Sequence, residues 1–389
     1  MEGGVGDYAA SLGGALAALG ARVHALVPSA CAGTRVDGIE VHSIGHRWSS
    51  GALLRARALA RRLRLDALLL QYQAGAFHLR GPIHFLPAVA GVPVVTTFHD
   101  LRVPWLFPLA GRLRRDAVTL LARSSKGVVA AEPRDLDELR RRGARLAARI
   151  PIGSNVPCAP PADWERDAFR ARMGVARDDF LVGHFGLVHP LKGPRDLLLA
   201  LDRLVRGGHR VRLVLIGGSV GTLGSGHEDF AAEFERDLER LGLRDRVSVT
   251  DHLPARDVSA HLLSCDVVAL PYRDGASHRR GTLTAALAHG CAIVTTRPEL
   301  PDPAWRDGEN MRLVPVADPD ALAAAVAELA QDRGLRERLS NGALASAGDF
   351  DWSTIARRTL DFVAACAGTR EASPADPSEK DSARAGSAA

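Results

Sequence analysis

Short apolar runs recur along the chain, and the stretches between them alternate polar and apolar residues with helical spacing. Runs at 22–27, 39–44, 67–71, 92–97, 127–131 and 149–152 read as strands, being brief and bounded by turn residues. The segment SNVPCAPPAD at 154–163 interrupts the pattern, and its proline and short polar residues mark a linker. Beyond it the alternation restarts, with strands expected at 180–185, 211–216, 247–250, 267–270 and 292–295. Strands that alternate with helices build parallel βαβ units. The pattern therefore predicts an α/β fold of two successive doubly wound domains, at 1–153 and 164–350, followed by a helix over 351–367. The tail at 368–389 is Ser, Ala, Asp, Glu and Pro without periodicity, a composition that predicts disorder.

Length agrees with two domains, since 389 residues exceed what one hydrophobic core usually supports. Hydrophobic residues are 46% and charged residues 24%, as in ordinary globular proteins. No apolar run approaches the roughly 20 residues that span a bilayer, and no N-terminal stretch has the pattern of a signal peptide. A cytoplasmic protein is expected. The five cysteines, Cys31, Cys158, Cys265, Cys291 and Cys366, form no CxxC pair, which argues against a zinc site or a disulfide framework. They are expected to be buried small hydrophobes.

The net charge of +5 is unevenly spread, because residues 1–150 carry 21 Lys and Arg against 11 Asp and Glu. Arginines cluster at Arg55, Arg57, Arg61, Arg62 and Arg64, and again at Arg112, Arg114 and Arg115. Solvated helix faces are one reading. The sharper one is attraction of this basic half to an anionic acceptor, or peripheral contact with an anionic membrane at its inner face.

In open α/β sheets ligands sit beyond the carboxyl ends of strands, and four loops there carry candidate chemistry. GGVGDYAASL places Gly3 and Gly4 ahead of a helix; it reads either as a phosphate loop or as a tight turn. TTFHD puts His99 and Asp100 at the end of a strand, where an imidazole can donate to a phosphate or a sugar hydroxyl with the neighbouring carboxylate orienting it. GHFGLVHPLKG carries Lys192, one of only three lysines with Lys126 and Lys380, just ahead of a helix start that suits a diphosphate. In ALPYRDGASHRRGTLTAALAHG, Arg279 and Arg280 precede Gly281 and Thr282 at a further helix start, so guanidinium groups and backbone amides converge on one spot.

The order of GGVGDYAASL, TTFHD, ARIPIGSNV, FGLVHPLKGPRDLLLAL, LIGG, DVVALPY and ALAHGCAIVTT resembles the retaining family-four glycosyltransferases of GT-B type, the glycosyl transferases group 1, over nearly the whole chain ahead of the tail. The resemblance implies two Rossmann-like domains facing a cleft, with a C-terminal helix crossing back. It implies retaining transfer of a sugar from a nucleotide diphosphate sugar to a glycan, lipid or small-molecule acceptor, with neither metal nor cofactor, and no nucleic-acid partner. By the same resemblance Lys192 binds the donor diphosphate, the Gly3 and Gly4 backbone meets it from across the cleft, and His99 lies near the transferred sugar as the catalytic residue. The acceptor loops would be those around 72–84 and 103–113.

The chain departs from the family in three places. The usual pair of glutamates falls on Ser277 and Ala285, and the usual arginine after the first glycine of the C-terminal domain is Leu187. Arg279 or Arg280 is expected to supply that cation. The glycine loop at Gly3 is not preceded by the usual apolar strand, so either the start is mis-assigned or the first sheet lacks a central strand. These departures keep two other readings open, a non-catalytic binder of nucleotide sugars and a sugar-nucleotide epimerase of the same fold. No G-x-G-x-x-G follows a strand with an acidic residue about 20 positions on, which disfavours a dinucleotide-dependent oxidoreductase.

Overall fold

The computed structural model describes residues 4–31, 33, 36–77, 81–101, 111–217 and 228–368. Gly3, the tail after Gly368, and parts of both expected acceptor loops lie outside the described residues. The chain divides into two compact units, one drawn from Met1–Val23, Val36–Ile39 and Ile150–Ala356, the other from His24–Arg35, Glu40–Arg149 and Arg357–Ala389. The unit changes after Arg149, a few residues ahead of the expected linker.

Twelve strands form among the described residues: β1 (Val23–Val27), β2 (Ile39–Ser43), β3 (Leu68–Tyr72), β4 (Val94–Phe98), β5 (Gly127–Ala130), β6 (Ala147–Arg149), β7 (Phe180–Phe185), β8 (Val211–Ile216), β9 (Val247–Val249), β10 (Val267–Leu270), β11 (Ile293–Thr296) and β12 (Arg312–Val314). The last was not expected; three residues at a sheet edge are too short to leave an apolar run. The strand expected at 149–152 lies earlier, at β6, because Pro151 has no amide to continue the ladder that pairs Ala130 with Arg149.

The first of these units holds a six-stranded parallel sheet in the order β12-β11-β10-β7-β8-β9. Its central strands β10 and β11 are buried at every position, as parallel strands covered on both faces should be. One core holds Val182, Leu213, Val267 and Val294 against the helix Pro194–Arg206, and another holds Leu181, Val214, Val268 and Ile293 against the helix Gly281–Ala288. The 154–163 segment is fastened to this unit, with the Ala159 amide donating to Ser259 Oγ at 3.1 Å and Trp352 Nε1 donating to Ser154 O at 2.6 Å. That surface segment leaves Cys158 exposed, against the expectation of buried cysteines; Cys31 and Cys265 are half-buried, and Cys291 and Cys366 are buried.

The other unit contains a four-stranded parallel sheet, β3-β4-β5-β6, while β1 and β2 form a two-stranded sheet of their own. No described strand joins β1 to β3. The helix Ser50–Arg62 buries Ala52, Leu53, Ala56 and Ala60 and exposes Arg55, Arg61 and Arg62. The end of the helix Trp352–Ala367 lies on β5, where a Cβ at Gly127 would overlap Cys366 Sγ and the Phe362 ring. No described helix is long and apolar enough to cross a membrane.

Asp266 anchors the amino end of the six-stranded sheet. Its carboxylate accepts from Arg166 Nη2 at 2.6 Å, from buried Arg170 Nη1 at 2.9 Å and from the Leu181 amide at 2.7 Å. Asp266→Ala would strand the Arg170 guanidinium, whose side chain is 6% exposed, and should cost about 3 kcal/mol in urea unfolding. Arg166→Ala removes a partner that is 40% exposed and should cost less than about 1 kcal/mol.

Candidate functional site

In the six-stranded sheet the chain leaves β7 toward β8 and β9 on one side, then returns to build β10, β11 and β12 on the other. Strand order thus reverses between β7 and β10. At such a reversal the following loops diverge and open a crevice beyond the carboxyl ends, the usual ligand position in these sheets. The two loops here are 186–193 and 271–280, the ones that carry Lys192 and the arginine pair.

Two glycines shape this junction. Gly186 has φ 123° and Gly193 φ 67°, conformations that side chains resist. A Cβ at Gly186 would overlap the Lys192 ammonium and stand 3.1 Å from Thr282 Cγ2, and one at Gly193 would overlap the Pro271 carbonyl oxygen. The loops are then stitched together. The Arg273 amide donates to Leu191 O at 2.9 Å, and its guanidinium grips buried Asp196 through Nη2 and Nε, each at 2.7 Å. Burial pushes the Asp196 carboxyl up, and Arg273 pulls it back.

Lys192 lies under Gly186, where burial, reinforced by the neighbouring Arg280 guanidinium, lowers its ammonium to about 8. Arg280 sits 4.6 Å above the Tyr272 ring centroid, a cation–π geometry, and is ion-paired with Asp274. Tyr272, wholly buried, shares a 2.6 Å hydrogen bond with Thr282 Oγ1, and burial raises its phenol. Arg280 is also the residue that caps the helix Gly281–Ala288, so the first amides of that helix, at Gly281 and Thr282, are donors that its own ladder does not use. Arg279 is half-buried beside them. His184, buried on β7, is 2.9 Å from Ala269 O through Nδ1. Burial lowers it to about 4, so it is neutral.

The structure therefore brings Lys192, Arg280, Gly281 and Thr282 together within one unit. His99 follows β4 in the other unit. Its Nε2 is 3.0 Å from Gln71 Oε1 and its amide donates to Tyr72 O at 3.0 Å, while burial lowers its pKa to about 4. It is a neutral ring held across β3 by Gln71, a partner that the Asp100-based reading did not foresee. Gly4 begins the helix Gly4–Ala18, and Gly3 lies outside the described residues. Of the two positions where the family carries glutamates, Ser277 is half-buried and Ala285 is fully buried.

Sequence reasoning missed Tyr272, Asp274 and the Arg273–Asp196 pair. The signal was the YRD triplet directly after the DVVALP strand, an aromatic and two opposite charges at a strand's carboxyl end. A cavity of about 640 Å³, lined by Arg166, Arg170, Asp179 and Asp266 among others, opens at the opposite ends of the strands, where those guanidinium groups already have carboxylate partners.

With this geometry in place, the class follows from comparison of folds. The chain superposes on Anabaena HepE, solved with UDP, at a TM-score of 0.74 and 21% identity, over 92% of this chain and 96% of that one. It superposes on sucrose-phosphate synthase from Thermosynechococcus elongatus at 0.73 and 18%, over 95% and 94%. The fold is GT-B, with Rossmann-like α/β domains. The family model described as glycosyl transferases group 1 matches residues 179–332, and that described as glycosyl transferase 4-like domain matches 3–153. The chain belongs to the group 1 glycosyl transferases. Among curated proteins it is 33% identical over 218 residues to a D-inositol 3-phosphate glycosyltransferase of Xylanimonas cellulosilytica, covering 55% of this chain and 49% of that protein. It is 30% identical over 246 residues to the enzyme so named from Kineococcus radiotolerans, covering 59% and 54%. The chain spans about half the length of these curated relatives.

The ε-amine of Lys192 should titrate near 8, apart from ordinary lysines at about 10.4, in ¹³C-methyl NMR of the reductively methylated chain. Arg280→Ala removes a neighbouring positive charge and should move that titration upward. A Lys192 resonance titrating with the other lysines contradicts the geometry.

Proposed function

We propose that this chain is a glycosyltransferase that takes a sugar from a nucleoside diphosphate sugar, and that the diphosphate binds between Lys192, the arginine pair Arg279 and Arg280, and the Gly281 and Thr282 amides. The observation that carries the reading is the convergence of a half-buried lysine with a depressed ammonium, a guanidinium and a helix start at the reversal between β7 and β10. Like charges so close repel one another, and a doubly charged anion relieves that repulsion. The UDP and UDP-glucose complexes of Anabaena HepE support uridine as the first nucleotide to try.

Transfer breaks the bond from the anomeric carbon to the phosphate oxygen and forms one to the acceptor oxygen. The leaving diphosphate gains negative charge as the sugar gains positive charge. Lys192 and the helix amides are preorganised to take up the first, which is where electrostatic catalysis acts. Among the described residues around Lys192 no side chain is placed as a nucleophile. The mechanism that fits is front-face attack, in which the acceptor hydroxyl passes its proton to the departing phosphate and configuration is retained. His99, which burial keeps neutral, has no part in proton transfer in this mechanism. The excess of arginine in the first 150 residues supports an anionic acceptor, and the names of the curated relatives make inositol 3-phosphate the first candidate. The non-catalytic reading rests on Ser277 and Ala285, which leave no carboxylate at the positions where the family carries its glutamates.

UDP at about 100 times its dissociation constant should stabilise the chain by about 2.7 kcal/mol, and Arg279→Ala/Arg280→Ala should abolish most of that. Absence of stabilisation by every nucleoside diphosphate in a folded preparation refutes the reading. Lys192→Met should lower turnover by about 10²-fold or more. Binding of UDP without turnover across an acceptor panel would establish the non-catalytic alternative.

Lys192 also sets a pH dependence. The diphosphate prefers the protonated amine, so affinity is full below the free-chain value of about 8 and falls as pH rises through it. Calorimetric titration with UDP from pH 6.5 to 9.5 should show that fall, and in Lys192→Met it should be absent.

A further inference from the structure

We infer that His24, Glu40 and His42 form a binding site for a zinc-class divalent cation that ties β1 to β2. His24 stands on β1, and Glu40 and His42 stand two residues apart on β2, a spacing that puts both side chains on one face of the strand. The interatomic distances bring His24 onto that face. His24 Nδ1 lies 3.1 Å from His42 Nε2 and 3.3 Å from Glu40 Oε2, and the His42 to Glu40 separation is 3.9 Å. Ligands held 2.0–2.1 Å from a tetrahedral cation stand about 3.4 Å from one another, and these three edges bracket that length. Two imidazoles and one carboxylate are ligands suited to zinc, cobalt or nickel, and are poorly suited to magnesium, which prefers oxygen.

Burial is graded as a three-ligand site requires. The His24 and His42 side chains are 8% and 19% exposed, whereas Glu40 is 73% exposed, so the rings are held in place and the carboxylate faces solvent, leaving a route for the ion and a fourth position for water. The site has a structural consequence. Among the described residues β1 and β2 form a sheet by themselves, and a two-stranded sheet is marginal alone. Ligands on both strands would make cation binding add directly to the stability of the pair. The site lies on elements other than those that carry Lys192 and Arg280, and it assigns the metal no part in sugar transfer.

The test uses the full chain without an affinity tag, stripped with EDTA and titrated with Zn²⁺ against a chromogenic chelator. One equivalent should bind, Mg²⁺ should not compete, and Zn²⁺ should raise the melting temperature. Loss of an outer-shell partner already weakens metal sites by about 10-fold, so Glu40→Gln should weaken binding at least that much. Because Glu40 is exposed, that variant keeps its packing. His42→Gln should abolish the site, and Co²⁺ loading should give tetrahedral visible bands that both variants lose. Cys158→Ser, which removes the exposed thiol, should leave uptake unchanged. Absence of a stoichiometric equivalent in the wild type, or its persistence in Glu40→Gln and His42→Gln, overturns the inference.

Discussion

The close approach of Gly186 to the Lys192 ammonium, with that of Gly193 to the Pro271 carbonyl, is the constraint on which the site depends. A side chain at Gly193 would meet backbone, and one at Gly186 would displace the Lys192 ammonium. The second brings the loop after β7 against the loop after β10, at the place where the strand order reverses, and the first packs Lys192 within its own loop. Around that contact stand the depressed Lys192, the stacking of Arg280 on Tyr272, and the start of the Gly281–Ala288 helix.

Holding two cations in a half-buried crevice without an anion is unfavourable, and the surrounding residues offset it. Asp274 pairs with Arg280, and Asp196 pairs with Arg273, whose backbone fastens the two loops. In the free chain burial and the Arg280 charge both disfavour the Lys192 ammonium. A diphosphate would supply what is missing. Under the proposed function the site is preorganised for an anion whose charge increases during transfer, which is the requirement for stabilising a leaving group.

Much of this was legible in the sequence. The apolar runs at 180–185, 211–216 and 267–270 became β7, β8 and β10 at those bounds, because buried parallel strands must be apolar on both faces and so announce themselves. Scarcity singled out Lys192, and the RRGT segment marked a helix start. Edges were harder: β12 is a three-residue strand with a charged first position, and β6 stopped short of Pro151. Which strands pair was not readable either, since pairing is a property of backbone partners and not of composition. His99 was correctly placed at a strand end, but its partner Gln71 comes from the neighbouring strand. That contact spans 28 residues and leaves no local mark. The same is true of His24 and His42, unremarkable among fourteen histidines until two strands bring them together.

The central claim, that the Lys192 and Arg280 crevice is a diphosphate site, is tested most directly by a crystal structure of the chain soaked with UDP. The account predicts diphosphate density within hydrogen-bonding distance of Lys192 Nζ and the Gly281 and Thr282 amides, with the Arg280–Asp274 pair loosened. Well-ordered UDP bound elsewhere, with this crevice unchanged, would contradict it.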